Sequence, residues 1–145
     1  MSAPSPEFRH DIAAAVLALP VAAAFGFTFT TLADGRAETR LPWRPDLSHT
    51  PGAFQANPIA TLADFTGVAA GVTLLPAGST AATVDYTVKF LTEARGTALI
   101  GRARVIRPGT TLTVAAVDLY TTGHDGEDSL SATALVTMRN IPTRH

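Results

Sequence analysis

Residues 55–75, QANPIATLADFTGVAAGVTLL, decide the fold. Asn57 is a favoured N-cap and Pro58 a favoured first helical residue, since proline lacks the N–H that would go unpaired there and its φ is already helical. Ile59, Leu62, Phe65, Val68, Ala69, Val72 and Leu75 follow without leaving a polar side. The spacing therefore predicts a helix buried all round, running to about Leu75 before Pro76 and Gly78 stop it. Asp64 is the one ionisable group inside it. A buried carboxylate is costly unless paired, so Asp64 is either a structural acid bonded to a partner or a base or nucleophile beside the free N–H groups of a helix start. The surrounding sequence favours the second reading.

Beyond this helix the period changes from 3.6 to 2. Thr80, Ala82, Val84, Tyr86, Val88 and Phe90 share one face of a predicted strand, and Thr83, Asp85, Thr87 and Lys89 the other. Further strands are expected over 97–107, 110–121 and 129–140, with turns at Ala94-Arg95-Gly96, Pro108-Gly109 and His124-Asp125-Gly126. Four long strands on short turns read as an antiparallel meander. Upstream of the helix, FGFTFTTL and RAETRLPW form two strands joined at Ala33-Asp34-Gly35, since Asp-Gly between β-rich segments signals a hairpin. The Pro- and Gly-bearing loop RPDLSHTPGAF leads into the helix, and loops in that position often carry function. At the N-terminus a helix is expected over about 5–19, with EFRHDIAAAVLAL as its pattern and Pro20 as its stop. A secretion signal ending at Ala22-Ala23-Ala24 is disfavoured because Glu7, Arg9 and Asp11 precede the apolar run where a positive flank is needed.

The 145 residues suit a single domain over 1–145 with a core at about 25–140. This order of elements is α+β, a curved antiparallel sheet wrapped round one buried helix. Open sheet edges in such a unit are most simply closed by a second copy. Only 16% of residues are charged, which also suits a subunit that hides surface against itself. A net charge of −1 gives no basic field for nucleic acid or an anionic membrane. With no cysteine, thiol chemistry is excluded, and the four histidines show no zinc spacing, so neither a metal nor another cofactor is expected.

The string QANPIATLADFTG in this setting resembles the hotdog-fold acyl-CoA thioesterases, in particular the PaaI-like branch. That family has a His-Gly-Gly followed by Ala-Ile-Ala-Thr-Leu-Ala-Asp or close variants, and Ile59-Ala60-Thr61-Leu62-Ala63-Asp64 matches its second half letter for letter. The likeness extends from about Phe25 to Met138, including Lys89-Phe90-Leu91 and Arg107-Pro108-Gly109. Three positions depart from it: Gln55 stands at the His, Ala56 at the first Gly and Asn57 at the second. The resemblance implies a homo-oligomer with its site at the dimer interface and a cytoplasmic setting. It implies Asp64 as base or nucleophile and the Ala56 N–H as oxyanion donor, Asp64 facing Ala56 and His49 of the opposite subunit, with Gln55 and His49 as positioning groups. Asn57 and Thr83 would lie beside the substrate, Phe54 and Phe65 would shape the acyl pocket with Leu74, and Arg102, Arg104 and Arg107 would meet coenzyme A phosphates. Coenzyme A enters only as part of the substrate. The altered His-Gly-Gly string supports an alternative: a non-catalytic hotdog protein that binds an acyl-CoA or aromatic ligand, or a purely structural dimer.

Overall fold

The computed structural model describes residues 6–143. Helices α1 (His10–Leu17) and α2 (Pro20–Phe25) precede strands β1 (Thr28–Ala33) and β2 (Arg36–Pro42). The long helix α3 (Ala56–Val72) follows, and then β3 (Thr80–Phe90), β4 (Ala98–Pro108), β5 (Leu112–Thr122) and β6 (Asp128–Ile141). The six strands form one antiparallel sheet in the order β1-β2-β4-β5-β6-β3. α3 touches every one of them. This is the hotdog fold, and the α+β expectation holds.

The β1–β2 hairpin turns at Asp34 and Gly35, with φ of 50° and 76°, the left-handed pair that a two-residue turn between twisted strands requires. Its tip docks on the end of α3, where the Gly35 N–H donates to Thr73 Oγ1 at 2.7 Å.

Several local expectations are corrected. The N-terminal helix begins at His10 and ends at Leu17, and Pro20 opens a second helix as well as closing off the first. The absent proline N–H costs nothing at a first helical position. Residue 5, the expected start, lies outside the described residues. The cap of α3 lies two residues before the expected one: Gln55 is the N-cap, extended at φ −67° and ψ 156°, while Asn57 and Pro58 lie inside the first turn. The loop dictates this early start, because Phe54 N–H is held by Ala94 C=O and Gln55 N–H by Leu47 C=O, each at 2.8 Å. α3 ends at Val72, and turn bonds from Leu74 to Gly71 and from Leu75 to Val72 tighten the chain beyond it.

Only β4, β5 and β6 form a meander. β3 pairs with β6 and not with β4, so the 91–97 connection crosses the sheet and β3 becomes an outer strand. Its simple alternation is also broken: Thr83 pairs with Met138 but Asp85 with Thr137, which leaves Val84 as a bulge. Because paired residues share a face, Ala81 and Thr83 point inward before the bulge, and Tyr86, Val88 and Phe90 after it.

α3 lies close to the sheet because small residues line the contact. A Cβ on Gly67 would come within 3.0 Å of Val136, and one on Gly71 would run into Met138. Opposite them, Gly101 leaves room for a buried pair of hydroxyls. Thr66 Oγ1 donates back to Leu62 C=O at 2.6 Å and so accepts from Thr39 Oγ1 at 2.7 Å. The other side of α3 is not covered. Asp64, Phe65, Val68 and Val72 are only half-buried, so the helix is buried on three sides and open on the fourth, contrary to the all-round burial expected.

Gly101→Ala puts a methyl 2.6–2.7 Å from the Thr39 and Thr66 hydroxyls. It is expected to destabilise the protein by about 1–3 kcal/mol in urea unfolding, the usual cost of overpacking. An unchanged midpoint would show that the helix is free to move away from the sheet.

Candidate functional site

Asp64 sits on the uncovered side of α3, at a point where the inward-facing part of β3 passes. The bulge at Val84 keeps Thr83 on the inner face, and its hydroxyl donates to Asp64 Oδ1 at 2.7 Å. Among the described residues this is the only hydrogen bond that the carboxylate receives, and no ion pair involves it. Burial pushes the Asp64 pKa up from the ordinary carboxylate value, and the Thr83 bond only partly opposes it. The acid is therefore neither sealed in the core nor neutralised.

It opens on a cleft of about 440 Å³ between α1, α3 and β3. Ile12, Val16 and Leu19 line one wall, and Phe65, Val68 and Val72 the other. Phe65 is braced from behind by Phe27, ring centroids 5.1 Å apart. Arg9 and Asp11 also reach the cleft, but they are tied to one another by two bonds of 3.0 Å.

The start of α3 forms a second, separate feature. Gln55, Ala56 and Asn57 are exposed. Gln55 N–H is occupied by Leu47 C=O, Pro58 has no N–H, and the N–H groups of Ala56 and Asn57 have no acceptor among the described residues. Two free donors at the positive end of a helix suit an oxyanion. Neither Ala56 nor Asn57 has a positive φ. A side chain there is thus no obstacle to the backbone geometry, although the string that the sequence resembles has glycines at both positions. Eight residues separate Ala56 from Asp64, about 12 Å of helix at 1.5 Å per residue. One chain cannot bring both to a single carbonyl group.

The remaining candidates divide. Thr83 and Phe65 lie at the cleft with Asp64. His49 is exposed in the loop before α3, near the helix start in sequence, and makes no side-chain hydrogen bond among the described residues. Phe54 is only 2% exposed and belongs to the core, not to the cleft wall. Arg102 and Arg104 share the outer face of β4, the side of the sheet away from α3, and Arg107 is exposed further along that strand. Arg102 is held there by Glu38 at 2.7 Å and Asp128 at 3.1 Å, over the Tyr120 ring. The structure does not bring these arginines to Asp64. Sequence reading gave α1 no role, although Ile12 and Val16 at i and i+4, with Leu19 just past the helix end, form an apolar wall. No helix among the described residues is long and apolar enough to cross a membrane.

A hotdog fold with an unpaired acid on the open side of its central helix defines a class, and comparison with known proteins narrows it. The sequence profile of the thioesterase superfamily matches residues 58–126. A solved thioesterase family protein from Silicibacter pomeroyi is 30% identical, with a TM-score of 0.86 over 92% of this chain and 98% of that one. Two others share the fold at 20% identity. They are a conserved Pseudomonas aeruginosa protein (TM-score 0.78, 88% and 98% covered) and a Haemophilus influenzae thioesterase (TM-score 0.76, 88% and 87% covered). No curated protein matches the chain. The chain belongs to the thioesterase superfamily, and that membership supports thioester hydrolysis in general.

Because Asp64 gives up its proton at lower pH in the unfolded chain than in the folded one, unfolding releases a proton between the two pKa values, and stability falls as pH rises through that window. Asp64→Asn is expected to melt at a higher temperature than wild type at pH 7. Near pH 3, below the ordinary aspartate pKa of about 3.9, the advantage should disappear. Thermal melts at the two pH values test this, and an advantage that persists at pH 3 would mean that the gain does not come from the charge.

Proposed function

We propose that the protein is a PaaI-like acyl-CoA thioesterase in which each active site combines Asp64 of one subunit with the start of α3 of another. The observation that carries the reading is the pairing of an unneutralised, half-buried acid at a cleft with free helix-start donors that lie too far along the same helix to act with it. The open edge of β3 supports the assembly. Beyond its pairing with β6 the strand has no partner among the described residues, and it exposes Val84, Tyr86 and Phe90, with Leu91 just past its end. A second copy laid along this edge would cover that surface and bring its own α3 start toward Thr83 and Asp64.

In this arrangement the thioester carbonyl oxygen accepts the Ala56 N–H, with the Asn57 N–H beside it. Donors already aimed at the developing negative charge lower the barrier without reorganising. Asp64 takes a proton from water as the hydroxide oxygen bonds to the carbonyl carbon. The C–S bond then breaks, and the thiolate leaves with the proton that Asp64 held, giving a carboxylic acid and free coenzyme A. Direct attack by Asp64 on the carbonyl carbon is the other route the same geometry serves, with water then hydrolysing the anhydride. A carboxylate whose pKa is raised by burial is a better base near neutral pH than an exposed one. Thr83 orients it, while Gln55 and His49 of the subunit that supplies the α3 start stand near the substrate.

Asp64→Asn is expected to lower kcat by about 10²–10⁴-fold, the range for a lost general base. Ala56→Pro removes the N–H at a first helical position where proline is favoured, after a Gln55 backbone that already suits a following proline. It should lower kcat by about 10²–10³-fold while leaving the melting temperature in place. The two variants co-expressed should recover activity, because a mixed dimer holds one site with both an Asp64 and an Ala56 N–H. Mixed dimers as inactive as the parents would defeat the shared-site arrangement. Wild type inert toward a panel of acyl-CoAs would defeat the hydrolase reading.

A further inference from the structure

We infer that the cleft beneath α1 holds an apolar, medium-length acyl group, and that α1 sets how long that group can be; this rests on the thioesterase reading. Phe65, Val68 and Val72 follow one another along α3 at spacings of three and four residues, and so form a continuous apolar strip that starts beside Asp64. From Asp64 to Val72 the strip covers about 12 Å of helix. An extended aliphatic chain of roughly eight to ten carbons, with bonds of about 1.5 Å, spans the same length.

α1 makes the strip into a slot. Arg9 N–H donates to Leu32 C=O at 2.8 Å, which fixes the start of the helix on β1, and Ile12 and Ala13 are buried beneath it. Val16 and Leu19 then overhang the strip without closing on it. Leu19 is 50% exposed, and Val68 and Val72 are only half-buried. Apolar walls held apart on two anchored helices leave a preformed space for an apolar ligand. Apart from Asp64, where the strip begins, the charged residues at the cleft do not select a charged end group, because Arg9 and Asp11 neutralise each other through two bonds. Past Val72 the cleft is lined by Pro76, Gly78, Ser79 and Thr80, where the chain turns from α3 into β3. A group much longer than the strip meets this turn, and one much shorter leaves the strip wet.

Ala15, exposed on α1 at the lip of the cleft, gives the test. Wild type is expected to show kcat/KM at least tenfold higher for octanoyl- or decanoyl-CoA than for acetyl- or hexadecanoyl-CoA. Ala15→Trp fills the slot from an exposed position that folding does not depend on, and should lower the decanoyl-to-butanoyl ratio of kcat/KM at least tenfold. Val21→Trp, on an exposed site of α2 outside the cleft, should leave that ratio at its wild-type value. An active wild type with no chain-length preference, or a ratio unmoved by Ala15→Trp, would overturn the inference and leave the hydrolase reading intact. If wild type hydrolyses no thioester, ligand-observed NMR with decanoate decides the cleft by itself. Binding lost in Ala15→Trp but kept in Val21→Trp supports it, and equal binding or none overturns it.

Discussion

The structure depends on how closely α3 can lie against the sheet. Glycines at 67, 71 and 101 remove the side chains that would hold the two apart, and the Thr39–Thr66 pair fills the one polar gap between them with a satisfied hydrogen bond. Packing falls off steeply with separation, so a helix admitted this closely gains dispersion contacts along its length and becomes a fixed rod. A fixed rod can hold an acid at a defined depth. Moving α3 away from the sheet would part Asp64 from the Thr83 hydroxyl on β3, the one group that holds its carboxylate among the described residues.

That close contact has a geometric consequence. One sheet can wrap only part of a helix, and the part left over carries Asp64, Phe65, Val68 and Val72. α1 covers some of this face but stands off from it, which produces the cleft. The β3 bulge completes the arrangement: without the extra residue at Val84, the alternation of the strand would set Thr83 and Tyr86 on opposite faces, and either the hydrogen bond to Asp64 or the inward register of Tyr86, Val88 and Phe90 would be lost. A local irregularity in an outer strand thus positions a group at the candidate site.

Much of this was legible in the sequence, and the exceptions have physical reasons. The apolar period of 59–72, the Asp-Gly turn and the two-residue alternation of the later strands are local signals, and each produced the element expected of it. The start of α3 was misplaced because Asn57-Pro58 is a strong local cap signal, but long-range bonds from Leu47 and Ala94 had already fixed the chain at Gln55 and Phe54. The position of β3 was misplaced for a similar reason. Adjacent strands usually pair, and nothing in residues 91–97 announces that they cross the sheet. Arg102 and Arg104 were correctly placed on one face, but which face that was followed only from Leu99, Gly101 and Ala103 being the inward set. Asp64 stood out because a lone acid in an apolar helix is conspicuous, whereas the cleft was not legible, since it lies between elements far apart in sequence.

The departures from the family string at 55–57 follow from the same backbone. Glycine is indispensable only where φ is positive or where a side chain would collide, and neither condition holds at the start of α3. Ala56 and Asn57 have helical dihedrals and face outward. What the position must supply is an N–H without an internal acceptor, and any residue but proline supplies that in the first turn of a helix. Pro58 sharpens the result. By occupying the third place it removes the one further N–H that would have competed for an incoming oxygen, so the free donors of α3 are narrowed to two adjacent ones. Gln55 at the family's histidine keeps a side chain able both to donate and to accept but removes a group that titrates near neutral pH. Under the proposed function, Gln55 would therefore take no part in proton transfer, and that role would fall to Asp64.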